Sequence, residues 1–215
     1  MSNLSYQDFI SCIDDFVSAS KKLHDGWNLL HHGDSTYLSK KFIVPKQFRS
    51  TGSFFSTTDE HALINTGNVI TDDEYSVQGN KISYELVFDC HIIYSNSYKN
   101  PVMYFLISTA DGNPFTLQQC WEELEFTFDP KQPDLKWSFV TQVLHPLLQI
   151  PFFQLHPCHT EKFMEPFRRK HVENSDKDMS RSNCNNFILS WLSIVLPVLK
   201  LDLNIEQYYH ILSKS

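Results

Sequence analysis

Apolar residues Phe9, Cys12, Ile13, Phe16, Val17 and Leu23 recur at the spacing of one helix face. Ser5 precedes them as an N-cap, with Asp8 three residues on to close a reciprocal cap. The pattern predicts an amphipathic helix over 6–23, whose stripe must dock on a sheet. Residues 37–44 then read as a strand that stops at Pro45, because proline brings no N–H to a ladder. The stretch 46–71 is rich in Ser, Thr, Gly and Asn, and reads as loop with a weak strand around 62–64. Two runs rich in Ile, Val, Tyr and Phe follow, at 81–94 and 101–108. The polar residues 95–100 between them predict a turn. Both runs are apolar with little alternation, so the hairpin they form belongs at the centre of an antiparallel sheet.

Asp111-Gly112-Asn113-Pro114 is a turn. Thr116 and Gln119 form a capping box for a short helix that buries Leu117, Cys120, Trp121 and Leu124. Residues 137–143 fit helix or strand, and 151–155 fit a short strand. A short helix is expected at 161–169, and the polar, charged stretch 171–186 is expected to be mobile. A helix over 187–196 turns Phe187, Trp191, Leu192 and Val195 inward, and Pro197 bends or ends it. Asn204 caps a last helix through Leu212. This order predicts a single α+β domain over 1–215, with no internal repeat.

Composition narrows the function classes. Hydrophobic residues make up 41% and charged residues 20%, which suits a globular core. The net charge of -7 argues against nucleic acid, whose binders neutralise phosphate. The longest basic cluster, Arg168-Arg169-Lys170-His171, is too short for that task. No membrane span is expected, since the best apolar stretch, 187–199, falls short of the roughly 20 residues needed and holds Pro197. The first residues, Met1-Ser2-Asn3-Leu4-Ser5, carry neither a basic nor an apolar signal region. With no secretory signal the five cysteines are expected as reduced thiols in the cytoplasm, and with no Cys-x-x-Cys pair neither a disulfide frame nor a zinc ribbon is expected.

The candidate chemistry lies at His156-Pro157-Cys158-His159, directly after the apolar run Pro151-Phe152-Phe153-Gln154-Leu155. Pro157 ends the ladder, so Cys158 follows at a turn, held firmly and reachable. That setting suits a nucleophilic or thioester-forming thiol. Three other readings compete. Cys158 can be an inert buried thiol. It can share zinc with His156 and His159, although a fourth ligand is not evident and no metal is expected. It can belong to a cysteine protease, although no protease signature surrounds it. Cys12, Cys90, Cys120 and Cys184 fit the inert reading.

Three segments carry a resemblance. Tyr94-Ser95-Asn96-Ser97-Tyr98-Lys99-Asn100-Pro101-Val102-Met103-Tyr104-Phe105 is the first, and Pro151 through Thr160, which holds His-Pro-Cys-His, is the second. Ser190-Trp191-Leu192-Ser193-Ile194-Val195-Leu196-Pro197-Val198 is the third. In this order they resemble the autophagy-related protein ten family, the ubiquitin-conjugating-like enzymes of the autophagy conjugation system. The likeness runs from about 81 to 203. It implies a ubiquitin-conjugating-enzyme-like fold, an antiparallel sheet with an N-terminal helix on one face and C-terminal helices. The sister family, autophagy-related protein three, shares His-Pro-Cys but has a longer chain with an acidic insert.

The resemblance also implies a reaction. An activating enzyme, autophagy-related protein seven, would pass the ubiquitin-like autophagy-related protein twelve to Cys158 as a thioester. A lysine of autophagy-related protein five would then attack, and no cofactor is implied. Ordinary ubiquitin-conjugating enzymes place an Asn in an upstream His-Pro-Asn to steady the oxyanion. Here His145-Pro146 is followed by Leu147. His156 is the first choice to replace that amide, and Tyr94 is a candidate for a supporting role beside the incoming lysine. The competing reading makes Tyr94 an ordinary strand tyrosine. A second hypothesis is a non-catalytic adaptor that binds ubiquitin-like partners through a sheet edge. The inactive members of the superfamily lack the cysteine, which favours the enzyme.

Overall fold

The computed structural model describes residues 4–48, 82–124, 139–157 and 184–213. Helix α1 spans Tyr6–Leu23, and its start is set by the reciprocal cap. The Asp8 N–H donates to Ser5 Oγ at 3.1 Å, and the Ser5 N–H donates back to the Asp8 carboxylate at 3.4 Å. His24 ends the helix in the left-handed region, φ 53. The stripe Phe9, Cys12, Ile13, Phe16 and Val17 is buried, as its spacing requires.

Six strands follow in one antiparallel sheet. In chain order they are β1 (Asn28–His32), β2 (Ser35–Phe48), β3 (Ile82–Ser95), β4 (Asn100–Thr109), β5 (Val140–Leu144) and β6 (Pro151–Leu155). Their spatial order is β1-β2-β3-β4-β6-β5. The predicted hairpin pairs Tyr94 with Pro101 and takes the two central places. Residues 140–144 resolve as strand, the second of the two conformations open to 137–143.

One strand was not foreseen, and one expectation needs correction. Strand β1 has no apolar alternation and is largely exposed, so the pattern does not reveal it. It joins β2 through the two-residue turn Gly33-Asp34, with Gly33 at φ 57, a value glycine adopts freely. Strand β2 also passes through Pro45, which pairs with Glu85. The Glu85 carbonyl accepts from the Ala110 N–H, so its backbone groups face β4. Pro45 therefore turns its ring nitrogen to the outer edge, where no ladder bond is lost.

Helix α2 (Leu117–Leu124) has the expected box, with the Thr116 N–H donating to Gln119 Oε1 at 2.8 Å. It buries Cys120, Trp121 and Leu124, while Leu117 is only partly buried. Helix α3 (Cys184–Val198) begins before the predicted start and carries Pro197 in its last turn. Residues 184–186, assigned above to a mobile stretch, are thus helical. Residues 171–183 lie outside the described residues, as do the weak strand at 62–64 and the helix at 161–169. Helix α4 (Ile205–Leu212) is capped by Asn204.

The helices and one sheet face share the main core. Leu86, Phe88, Cys90, Ile92 and Tyr94 of β3 meet α1, α3 and α4 there. A smaller cluster lies on the other sheet face, where Tyr37, Ile93, Val102, Tyr104 and Phe152 meet Leu147 and Leu148. Asp25 ties the helical layer to the sheet. It accepts from Lys40 Nζ at 2.7 Å and from the Tyr208 hydroxyl at 2.6 Å. Lys40 is 9% exposed, so losing its partner leaves a charge nearly buried and unpaired. Asp25→Ala should lower stability by about 3 kcal/mol. Urea unfolding checks this, and a loss within about 0.5 kcal/mol, as for an ordinary surface change, contradicts it.

Candidate active site

Strand β6 delivers the chain to the candidate nucleophile. Phe153 and Leu155 point into the main core, and Phe152 points into the smaller cluster. Both faces of the strand are thereby pinned. Val140 pairs with Leu155, and the His156 N–H donates to the Phe139 carbonyl at 2.8 Å. The ladder ends at Pro157, which is buried and has no N–H to offer. Cys158 and His159 lie outside the described residues.

His156 is partly buried, and its ring meets Tyr98 edge-on at 6.0 Å. Tyr98 sits in the β3–β4 turn and is 43% exposed. The turn is well tied. The Lys99 N–H donates to the Ser95 carbonyl at 2.8 Å, and the Asn100 amide donates to the Tyr98 carbonyl at 3.1 Å. Sequence reasoning passed over Tyr98 because it stood in a polar stretch read only as a turn. Its one signal was a large ring among small polar neighbours.

Tyr94 has a different place. Its hydroxyl donates to the Leu4 carbonyl at 2.6 Å, and its ring packs 5.5 Å from Tyr6 and 5.6 Å from Phe9. Burial pushes its phenol up, with Asp8 adding to the effect. The phenol proton is thus committed to anchoring the start of α1. Strand alternation puts its side chain on the helix-covered face, as in the reading of Tyr94 as a strand tyrosine that anchors its surroundings. The structure does not group it with Tyr98 and His156.

At the upstream His-Pro, Leu147 packs beside the smaller cluster and offers no amide. His145 is fully buried. Its Nδ1 accepts the Leu147 and Leu148 N–H groups at 3.3 and 3.0 Å, which shapes the β5–β6 turn. Burial, with His91 and His32 nearby, pushes the ring down to about 4. The unfolded chain therefore takes up this proton first as pH falls. The contribution of His145 to stability is whole above about 6.5 and is lost as pH falls toward and through about 4. The full loss is about 3 kcal/mol. Urea midpoints at pH 7.5 and pH 5 should differ more for the native chain than for His145→Asn, and equal differences contradict the assignment.

Cys12, Cys90 and Cys120 are buried. Burial pushes the Cys90 thiol far up, with Asp89 adding to it, and pushes Cys120 up to about 12. A thiol held protonated inside the core is a poor nucleophile. Among the described residues no cluster of His, Cys, Asp or Glu could hold a metal ion. No described helix is long and apolar enough to cross a membrane.

Comparison with known proteins adds to this geometry. The family described as autophagocytosis associated protein, active-site domain, matches residues 8–206. The human ubiquitin-like-conjugating enzyme ATG10 is 41% identical over 195 residues, which cover 88% of this chain and 85% of the human protein. The Dictyostelium discoideum enzyme of the same name is 33% identical over 120 residues, 55% of this chain and 52% of that one. The Arabidopsis thaliana enzyme is 33% identical over 123 residues, 55% of this chain and 51% of that one.

Proposed function

The chain belongs to the autophagocytosis-associated protein, active-site domain family, and on that premise we propose that it is the autophagy enzyme that carries a ubiquitin-like protein as a thioester on Cys158. The observation that carries this reading is the match to an active-site domain over 8–206, a span that contains Cys158. The sealed thiols support it, since Cys12, Cys90 and Cys120 are buried and unsuited to the task. The antiparallel sheet with helices from both ends of the chain agrees with a ubiquitin-conjugating-enzyme-like fold.

Two acyl transfers make up the reaction. The Cys158 thiolate attacks the thioester carbonyl on the activating enzyme, autophagy-related protein seven, whose own thiolate leaves. One thioester is exchanged for another, and such an exchange needs little driving force when the two thiols have similar pKa. A deprotonated lysine of autophagy-related protein five then attacks the new thioester. The C–S bond breaks, the thiolate leaves, and autophagy-related protein twelve is joined through an isopeptide bond. No metal or cofactor takes part in either step. The setting is the cytoplasm, where the thiol stays reduced.

The test uses the full chain with activating enzyme, ATP and the ubiquitin-like protein. The native chain should give an adduct that thiol reagents cleave. Cys158→Ser should give an ester that they do not cleave, and Cys184→Ala should behave as native. An adduct that follows Cys184 instead refutes the assignment, and no adduct at all leaves the adaptor.

A further inference from the structure

Hairpin β5–β6 meets the rest of the sheet through two residue pairs, Tyr104 with Gln154 and Phe105 with Phe153. The ladder itself is short, so register rests largely on the side chains that β6 buries on its two faces, because a one-residue slip would turn each of them to the other face. A second attachment crosses over β4. His145 Nε2, at the base of the hairpin turn, lies 3.0 Å from His91 Nδ1 on β3. Both rings are buried.

The backbone sets the direction of this bond. An amide N–H can only donate, so His145 Nδ1, which receives two of them, is an acceptor without a proton. The proton of a neutral His145 is then on Nε2, and it donates to His91 Nδ1. His91 in turn carries its proton on Nε2, which faces Asp89 Oδ1 at 3.3 Å. That oxygen is buried and has no well-aligned hydrogen bond, so the contact is a close approach of the ring to the carboxylate. Lys41 Nζ holds the other carboxylate oxygen at 3.4 Å. Burial pushes the Asp89 carboxyl up, but His91 and Lys41 outweigh it and hold it below the usual range. The two backbone donors on His145 Nδ1 thus leave the His145–His91 pair a single proton arrangement.

We infer that His145 and His91 form a tautomer-locked latch, which holds the β5–β6 turn against β3, fixes the register of the strand that presents His156 and Pro157, and lets go when it takes up a proton. A proton on His145 Nδ1 would confront two backbone donors. A proton on His91 Nδ1 would confront His145 Nε2–H. Either one breaks the chain of donors. The groups that face the pair are Tyr37 of β2, Asp89 of β3 and Tyr104 of β4, with His32 of β1 and Lys41 of β2 farther out. Phe152 packs on both rings, at 4.6 Å from His145 and 5.1 Å from His91. Asp89 is the one carboxylate among these groups, and it meets the His91 end of the chain. His145 and His91 are positioning residues, and their effect on the reaction rests on the function proposed above. The latch itself does not.

Long-range proton–nitrogen spectra of the full chain, labelled at histidine, test the latch from pH 8 downward. Both rings should be neutral with the proton on Nε2, and His145 should stay so down to about 4. Hydrogen exchange at Leu147 and Leu148 should then quicken at least about tenfold as the ring protonates, the equivalent of one lost hydrogen bond. An Nδ1–H tautomer at His145 overturns the latch. So does a titration near 6.5 that leaves both amides protected. The positioning role is read from loading of Cys158. His145→Ala should slow it about tenfold, and His145→Asn, whose amide oxygen can receive the same two N–H groups, should restore it to within about threefold. Equal slowing in the two variants overturns that role. A native chain that never loads would count against the proposed function alone, since the spectra still decide the latch.

Discussion

Cys158→Ala should leave the chain folded and incapable of taking up the ubiquitin-like protein. The chain has five thiols. Three are closed inside the core, and burial holds Cys90 and Cys120 protonated. A thiol held protonated offers almost no thiolate at neutral pH, and a buried sulfur cannot reach another protein's thioester in any case. Cys184 is the remaining competitor, and it opens α3. Loss of the adduct should therefore be complete in Cys158→Ala and absent in Cys184→Ala. The Tm of Cys158→Ala should stay within about 2 °C of native, as for a substitution outside the core. Persistence of the thiol-labile band in Cys158→Ala would end the assignment. A large fall in Tm would show instead that the sulfur is part of the core.

What the sequence disclosed depended on how local the cause was. Helix α1 was legible to both ends because Ser5, Asp8 and the apolar stripe act within a few residues of one another. The β3–β4 hairpin was legible for the same reason. Strand β1 was not, because Asn28, His31 and His32 at a wet edge carry no alternation. Its only mark was Gly33-Asp34. Pro45 misled because the rule against proline concerns the side that donates, and that side is known only once Glu85 is seen to face β4. The anchoring bond of Tyr94 was hidden for a different reason. Its partner, the Leu4 carbonyl, is 90 residues away, and only the assembled fold brings the two together. The bond between His91 and His145 spans 54 residues and is invisible to any local pattern. At the candidate site, the tetrapeptide and its likeness to a family pointed to Cys158, while Tyr98 emerged only when the turn closed on His156.

His156→Ala should slow transfer to lysine about 100-fold while changing the loading of Cys158 by less than about threefold. The two steps ask different things of the protein. Loading exchanges one thioester for another between thiols of similar pKa, so a lost donor near the nucleophile matters little. Attack by the weaker amine nucleophile depends more on stabilising the oxyanion it builds, and a donor aimed at that oxygen is worth about 10² to 10³ in rate. The amide that would serve elsewhere is absent, since Leu147 packs beside the smaller cluster. His156 is the available group, two residues before the sulfur. The bond from its N–H to Phe139 fixes its backbone, and Tyr98 abuts its ring. A preloaded thioester chased with acceptor in a single turnover separates the steps. His156→Asn, which restores a side-chain amide, should recover most of the transfer rate. Equal slowing of loading and transfer in His156→Ala would instead make this histidine a structural neighbour of Tyr98, and the oxyanion would then need a backbone donor.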